Sequence, residues 1–171
     1  MEILKAATEW AKDEIFSSKF FILFGILFII ATIGFWKLAK TDVAKAFVYP
    51  TLVVGVLLLI IGTGLLFVNK SRLENFPKEY KNSPSEFVQN EIIRAEKTVK
   101  EYKNVVFTAI PIIIIVASLL IIFIDKPIWR AICITTIAMM AVILLVDSNA
   151  SKRMKDYNEQ LKLVDIKTLK K

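Results

Sequence analysis

Histidine is missing from all 171 residues, cysteine occurs once, and glycine and proline occur five times each. Without histidine the chain lacks the commonest metal ligand and the commonest general base. The lone Cys133 sits inside an apolar run, so there is neither a disulfide framework nor a metal-ligand spacing. No glycine-rich phosphate loop is present, and the carboxylates of the polar stretches are scattered among lysines, as with Glu96 and Lys100. These gaps argue against an enzyme, and no cofactor or metal is expected.

Charge is equally scarce where the chain is most apolar. Phe20 to Trp36, Ala46 to Asn69 and Val105 to Ile124 carry no Asp, Glu, Lys or Arg, and Ile128 to Val146 carries only Arg130, close to its start. Pumps, proton-coupled transporters and intramembrane proteases depend on buried ionisable groups, so their absence here speaks against all three. Each run approaches the roughly 20 residues that cross a bilayer as a helix. Hydrophobic residues make up 56% of the chain, above the roughly 45–50% of soluble domains.

The expected fold is therefore all-α: a polytopic membrane protein with four transmembrane helices in two hairpins. Residues 1–18 read as an N-terminal amphipathic helix at the membrane surface, with Leu4, Ala7, Trp10, Ala11 and Ile15 on one face. Four acids and three lysines in the first nineteen residues do not suit a cleavable signal peptide. Residues 19–69 form the first hairpin, 70–103 a linker and stalk helix, 104–146 the second hairpin, and 147–171 a basic helix and tail. Trp36, Tyr49 and Trp129 fall near the ends of the spans, as interfacial aromatics do.

Orientation follows from the basic residues. The two hairpin loops hold five Lys and Arg, against eighteen in the start, the middle segment and the tail. The positive-inside rule then predicts an inner-membrane protein with both termini cytoplasmic. Asp125-Lys126-Pro127 is a tight outer turn that makes the third and fourth spans neighbours.

Ser83-Pro84-Ser85-Glu86 reads as a helix start, with Ser83 capping and Glu86 reaching back to it. Val88, Ile92, Ala95, Val99 and Tyr102 then recur at heptad spacing and lead into the third span. Ala150, Met154, Tyr157, Leu161 and Val164 repeat the pattern after the fourth. Two cytoplasmic stalks are thus expected to extend the second hairpin, packing on each other within one chain and against copies from others.

Three further groups are candidates for function. Thr108, Ser118, Thr135 and Thr136 are candidate pore-lining hydroxyls of the second hairpin, in a pore that would close by dewetting. Pro111, six residues into the third span, removes a backbone hydrogen bond and is a candidate hinge. Arg94, Lys97, Lys100 and Lys103 on one stalk, with Lys152, Arg153 and Lys155 on the other, form a candidate surface for lipid headgroups or an anionic ligand such as a nucleotide or oligonucleotide. Gly55, Gly62 and Gly64 permit close helix approach in the second span.

The resemblance is architectural: small membrane proteins with soluble helical extensions include oligomeric channels, membrane effectors of bacterial defence and scaffold subunits. The leading expectation is a homo-oligomeric channel or pore in the lipid bilayer, a membrane effector gated by a cytoplasmic anionic ligand or protein partner. The alternative is a non-conducting scaffold, accessory or immunity-type subunit that docks another protein through its cytoplasmic helices.

Overall fold

A computed structural model describes the backbone of residues 2–169 and side chains as far as Leu163. Among the described residues every regular element is helical. The order is α1 (Glu2–Leu38), α2 (Asp42–Lys45), α3 (Val48–Asn82), α4 (Pro84–Glu101), a π-helical segment (Tyr102–Ala109), α5 (Ile110–Phe123) and α6 (Pro127–Leu169). Four helical stretches, Glu2–Leu38, Asp42–Asn82, Pro84–Phe123 and Pro127–Leu163, are long and apolar enough to cross a membrane. That is the composition of a multi-pass membrane protein.

Each of these stretches is about twice the length that a bilayer needs. At 1.5 Å per residue, α1 is roughly 55 Å long against a hydrocarbon core of roughly 30 Å. The molecule consequently has an apolar end and a polar end, and the same four rods run through both. At the apolar end the outward residues are large and hydrophobic, as at Ile30, Ile60, Ile115 and Leu145. At the polar end the outward residues are charged and the apolar ones turn inward.

This continuity corrects the expected surface helix at residues 1–18. The segment is the first part of α1, and its apolar face, Ile3, Ala7, Trp10 and Ala11, is buried in a core with Phe76 of α3, Phe87 and Ala95 of α4, and Met154, Tyr157 and Leu161 of α6. The stripes of the two expected stalks do meet each other, and α1 and α3 join them. Val88, Ile92, Val99 and Tyr102 pack against this core, and Ala150 is buried just below it. Two heptad stripes can close on each other, but here Ile3, Ala7, Trp10 and Ala11 of α1 and Phe76 of α3 share the seam with them. The seam is therefore closed within one chain. The side chain of Val164 lies outside the described residues.

Glycine sets the spacing of α1 and α3. A Cβ added at Gly62 would lie 2.9 Å from the backbone nitrogen of Ile22, and one at Gly55 would lie 3.1 Å from the carbonyl oxygen of Gly25. Gly25 answers from α1, where a Cβ would meet the backbone nitrogen of Leu59 at 3.0 Å. Gly64 differs from the other two glycines singled out in α3, because nothing lies within 4 Å of its would-be Cβ. Thr32 and Thr51 add a hydroxyl contact of 2.9 Å between the same helices.

At the far end, Arg130 turns back to the tight connection between α5 and α6, donating to the Ile124 carbonyl at 3.1 Å and pairing with Asp125 at 2.9 Å. Ser83 occupies the N-cap of α4 with Pro84 in the first turn, but its side chain makes no capping bond. Its carbonyl accepts from Phe87 N–H instead.

Replacing Gly62 by Ala is expected to push α1 and α3 apart and cost about 1–3 kcal/mol, the usual range for overpacking. Gly64→Ala, with open space for its methyl group, should leave stability unchanged or raise it by up to about 1 kcal/mol. Thermal unfolding in detergent, followed by circular dichroism, compares the two.

Candidate functional site

The polar end is held by charges that lie within its apolar stripe. Trp10 of α1 stacks on Tyr157 of α6, ring centroids 5.5 Å apart and planes 10° from parallel. Arg94 of α4 lies over the Trp10 ring, 4.2 Å from its centroid. Arg94 grips Glu91 with both arms of its fork, and the Tyr157 hydroxyl donates to the same carboxylate at 2.7 Å. The four side chains close a circuit through three helices. Arg72 of α3 brings in the fourth, 5.5 Å from the Trp10 centroid and bonded to Asn69 at 2.8 Å. Burial, with Glu91 beside it, pushes the Tyr157 hydroxyl well above its ordinary range.

One turn closer to the apolar end, Arg153 of α6 donates to Glu14 at 2.9 Å and to Ser17 at 2.7 Å, both on α1. Burial holds the Glu14 carboxyl above its ordinary range, a pull that Arg153 opposes without cancelling.

Below this pair is a cavity of about 510 Å³ bounded by α1, α3, α4, the π segment and α6. Its polar lining is Glu14, Ser17, Thr98, Glu101, Tyr102 and Asp147. Its apolar lining includes Phe21, Ile61, Leu65, Val106, Ile143 and Val146. It lies where the polar and apolar ends of the molecule meet. Asp147, the first residue after the fourth apolar run, has a carboxyl pushed up to about 7 by burial and then by the Glu14 charge. Burial, followed by Glu14, also raises the Tyr102 hydroxyl.

The π segment forms one wall. Pro111 has no N–H and its ring crowds the carbonyl one turn back, and the turns before it are widened. Ile110 N–H reaches the Val105 carbonyl, five residues behind, and the Thr108 hydroxyl reaches the Lys103 carbonyl at 3.0 Å, also five behind. A wide-turn segment thus sits where the candidate hinge is expected.

The other expected site residues are scattered. Lys97, Lys100, Lys103, Lys152 and Lys155 are exposed, Lys97 facing Glu101 at 3.9 Å. Arg94 and Arg153, the strongest phosphate-binding candidates, are engaged with Glu91 and Glu14 inside the bundle. The expected cationic surface therefore lacks its guanidinium groups, because carboxylates on neighbouring turns and helices satisfy them first. Glu96 pairs with Lys162 of α6 at 2.7 Å, across helices. Among the hydroxyls, Thr108 and Ser118 are exposed, Thr135 is buried and Thr136 is half-buried, so no single face of the chain carries all four. Ser118 and Thr135 bond to carbonyls of their own helices.

Glu14 and Asp147 were not among the expected site residues, although the sequence carries a trace of each. Glu14 falls in phase with Ala7, Trp10 and Ala11, and Asp147 immediately ends an apolar run. No family model, curated protein or solved structure matches the chain.

Two outcomes follow. Arg153→Met leaves Glu14 buried without its partner and should cost about 3 kcal/mol, while adding Glu14→Leu should recover most of that loss. Chemical denaturation of the two single variants and the double variant measures the coupling. The second outcome concerns pH. The groups facing Asp147 are Glu14, Glu101 and Tyr102, with Arg153 held on Glu14. Asp147 takes up its proton near pH 7 when folded but only near its ordinary 3.8 when unfolded. The folded chain binds more protons in that window, so stability should rise as pH falls through it and level off below. Asp147→Asn should raise stability at pH 8 and flatten the profile. Thermal midpoints across the pH range test this.

Proposed function

We propose that the chain is a membrane pore-former whose second hairpin, α5 with the first half of α6, is moved by events at its polar end. The reading places four helices across the bilayer, with the polar bundle and both termini in the cytoplasm. One observation carries it. α5 packs on α6 and on the π segment, leaving Ile112, Ile115, Val116, Leu119 and Ile122 uncovered along its other side, and its root is the widened turn beside the cavity.

The first hairpin is suited to the opposite task. Three glycines and a hydroxyl contact hold α1 and α3 at close range, so they form a fixed post against which α5 can swing. Because the heptad stripes are used within one chain, contacts between copies belong in the membrane, on the free side of α5. A pore built there from branched apolar residues and hydroxyls needs no charged filter and closes by dewetting.

Two measurements bear on this. In planar bilayers the purified protein should give stepwise currents, and Pro111→Ala, which restores an ordinary helical turn, should reduce the open fraction. Silence at every voltage and ligand tried, together with a monomeric mass in mild detergent, would overturn the proposal. Topology is read separately. In a Cys133→Ser background, a cysteine at Lys126 should react with an impermeant thiol reagent from outside intact cells, and one at Gln160 should react only after lysis.

A further inference from the structure

The cavity at the junction is unusual in its charge. Glu14, Glu101 and Asp147 come to it from three different elements, and no Lys or Arg is among its lining residues. Glu14 has Arg153 as its counter-charge and Glu101 has Lys97 at 3.9 Å. The Asp147 carboxylate takes part in no hydrogen bond or ion pair among the described residues, although the residue is half-buried. A carboxylate removed from bulk water with another carboxylate beside it attracts positive charge strongly, because the effective dielectric is low.

The shape narrows the kind of cation. Among the described residues no group of three acidic, Cys or His side chains is arranged to hold a metal ion. Small, strongly hydrated ions need such convergence, whereas a large, weakly hydrated cation does not. About 510 Å³ is in the size range of sites for drug-sized molecules. The rest of the lining is largely apolar, with Phe21 of α1, Ile61 and Leu65 of α3 and Ile143 of α6, and would cover a hydrocarbon body.

We infer that this cavity is a binding site for a lipophilic organic cation, whose charge sits against Asp147 and whose apolar body lies between α1, α3 and α6. The inference deepens the proposed function by naming a ligand class for the cavity beside the π segment. It also reverses the sign of the ligand expected from the basic stalks. An occupant would touch Tyr102, Val105 and Val106 of the π segment directly.

Tetraphenylphosphonium and tetraphenylborate have nearly the same size and shape and opposite charge, so they separate this site from simple partitioning. Equilibrium binding to the full chain in nanodiscs of zwitterionic lipid, corrected with empty nanodiscs, should give saturable uptake of the cation and none of the anion. Asp147→Asn should weaken cation binding about tenfold or more, and Ile61→Trp, which adds bulk to the apolar lining, should abolish it. If Ile61→Trp fails to fold, Asp147→Asn decides alone, since it removes an unpaired, half-buried charge and leaves the packing intact. Uptake equal to that of empty nanodiscs, saturable binding of both ions, or undiminished binding by Asp147→Asn would overturn the inference. The assay involves no current, so a silent protein that binds the cation would overturn the pore alone, and a conducting protein that does not bind it would overturn this site alone.

Discussion

The arrangement depends on one cluster, Trp10 in contact with both Tyr157 and Arg94, with Glu91 joining those two to each other. An indole is the largest apolar surface a side chain offers, and a guanidinium is the cation most easily stacked on it. Placing both in a small bundle fixes the rotation of α1, α4 and α6 at once. A shift of one residue in α1 or α6 would part Arg153 from Glu14 and leave a charge buried without its partner, at a cost of several kcal/mol, and a shift in α4 would take the Glu91–Arg94 pair away from Tyr157 and Trp10. Apolar packing alone tolerates such shifts far better. The bundle thus has a defined register, and each helix carries that register onward into the apolar end.

The number and placement of the apolar rods were legible from long uncharged runs, because a bilayer demands length and the chain meets that demand four times. The tight turn at Asp125 to Pro127 was equally plain. The two stripes meet each other as expected, and what went unread is that α1 and α3 complete their cover. Val88 to Tyr102 and Ala150 to Leu161 announce an apolar face by their spacing, but spacing does not say what will cover it. The missing half of the core came from residues 2–18, whose amphipathic pattern suits a membrane surface and a protein interior equally well.

The charged residues were harder. Arg94 and Arg153 looked like surface cations because lysines surround them in sequence, whereas their phase in the stripe, beside Ala95 and Met154, directs them inward. Glu14 and Glu91 share that phase. A charged residue that interrupts an apolar face at the expected spacing points to a buried pair, and four such residues matched in two pairs describe the polar core of this molecule. The cavity could not be read in this way, since it is made by five elements meeting, and nothing local in Phe21, Ile61 or Val106 marks them as its walls.

The widened helix between Tyr102 and Ala109 has a mechanical meaning beyond flexibility. Hydrogen bonds that close over five residues take up more chain per turn than those that close over four. Each residue handed back to ordinary winding would add roughly 20° of twist, so handing back the whole segment would turn everything beyond it by well over a quarter turn about the helix axis. The rod that begins at Pro84 is in effect a screw with a change of pitch partway along, and a small change at that point alters which side of Ile112 to Phe123 looks toward α6. Rotation of this kind needs no bending or sliding, and the tightly packed post of α1 and α3 does not oppose it.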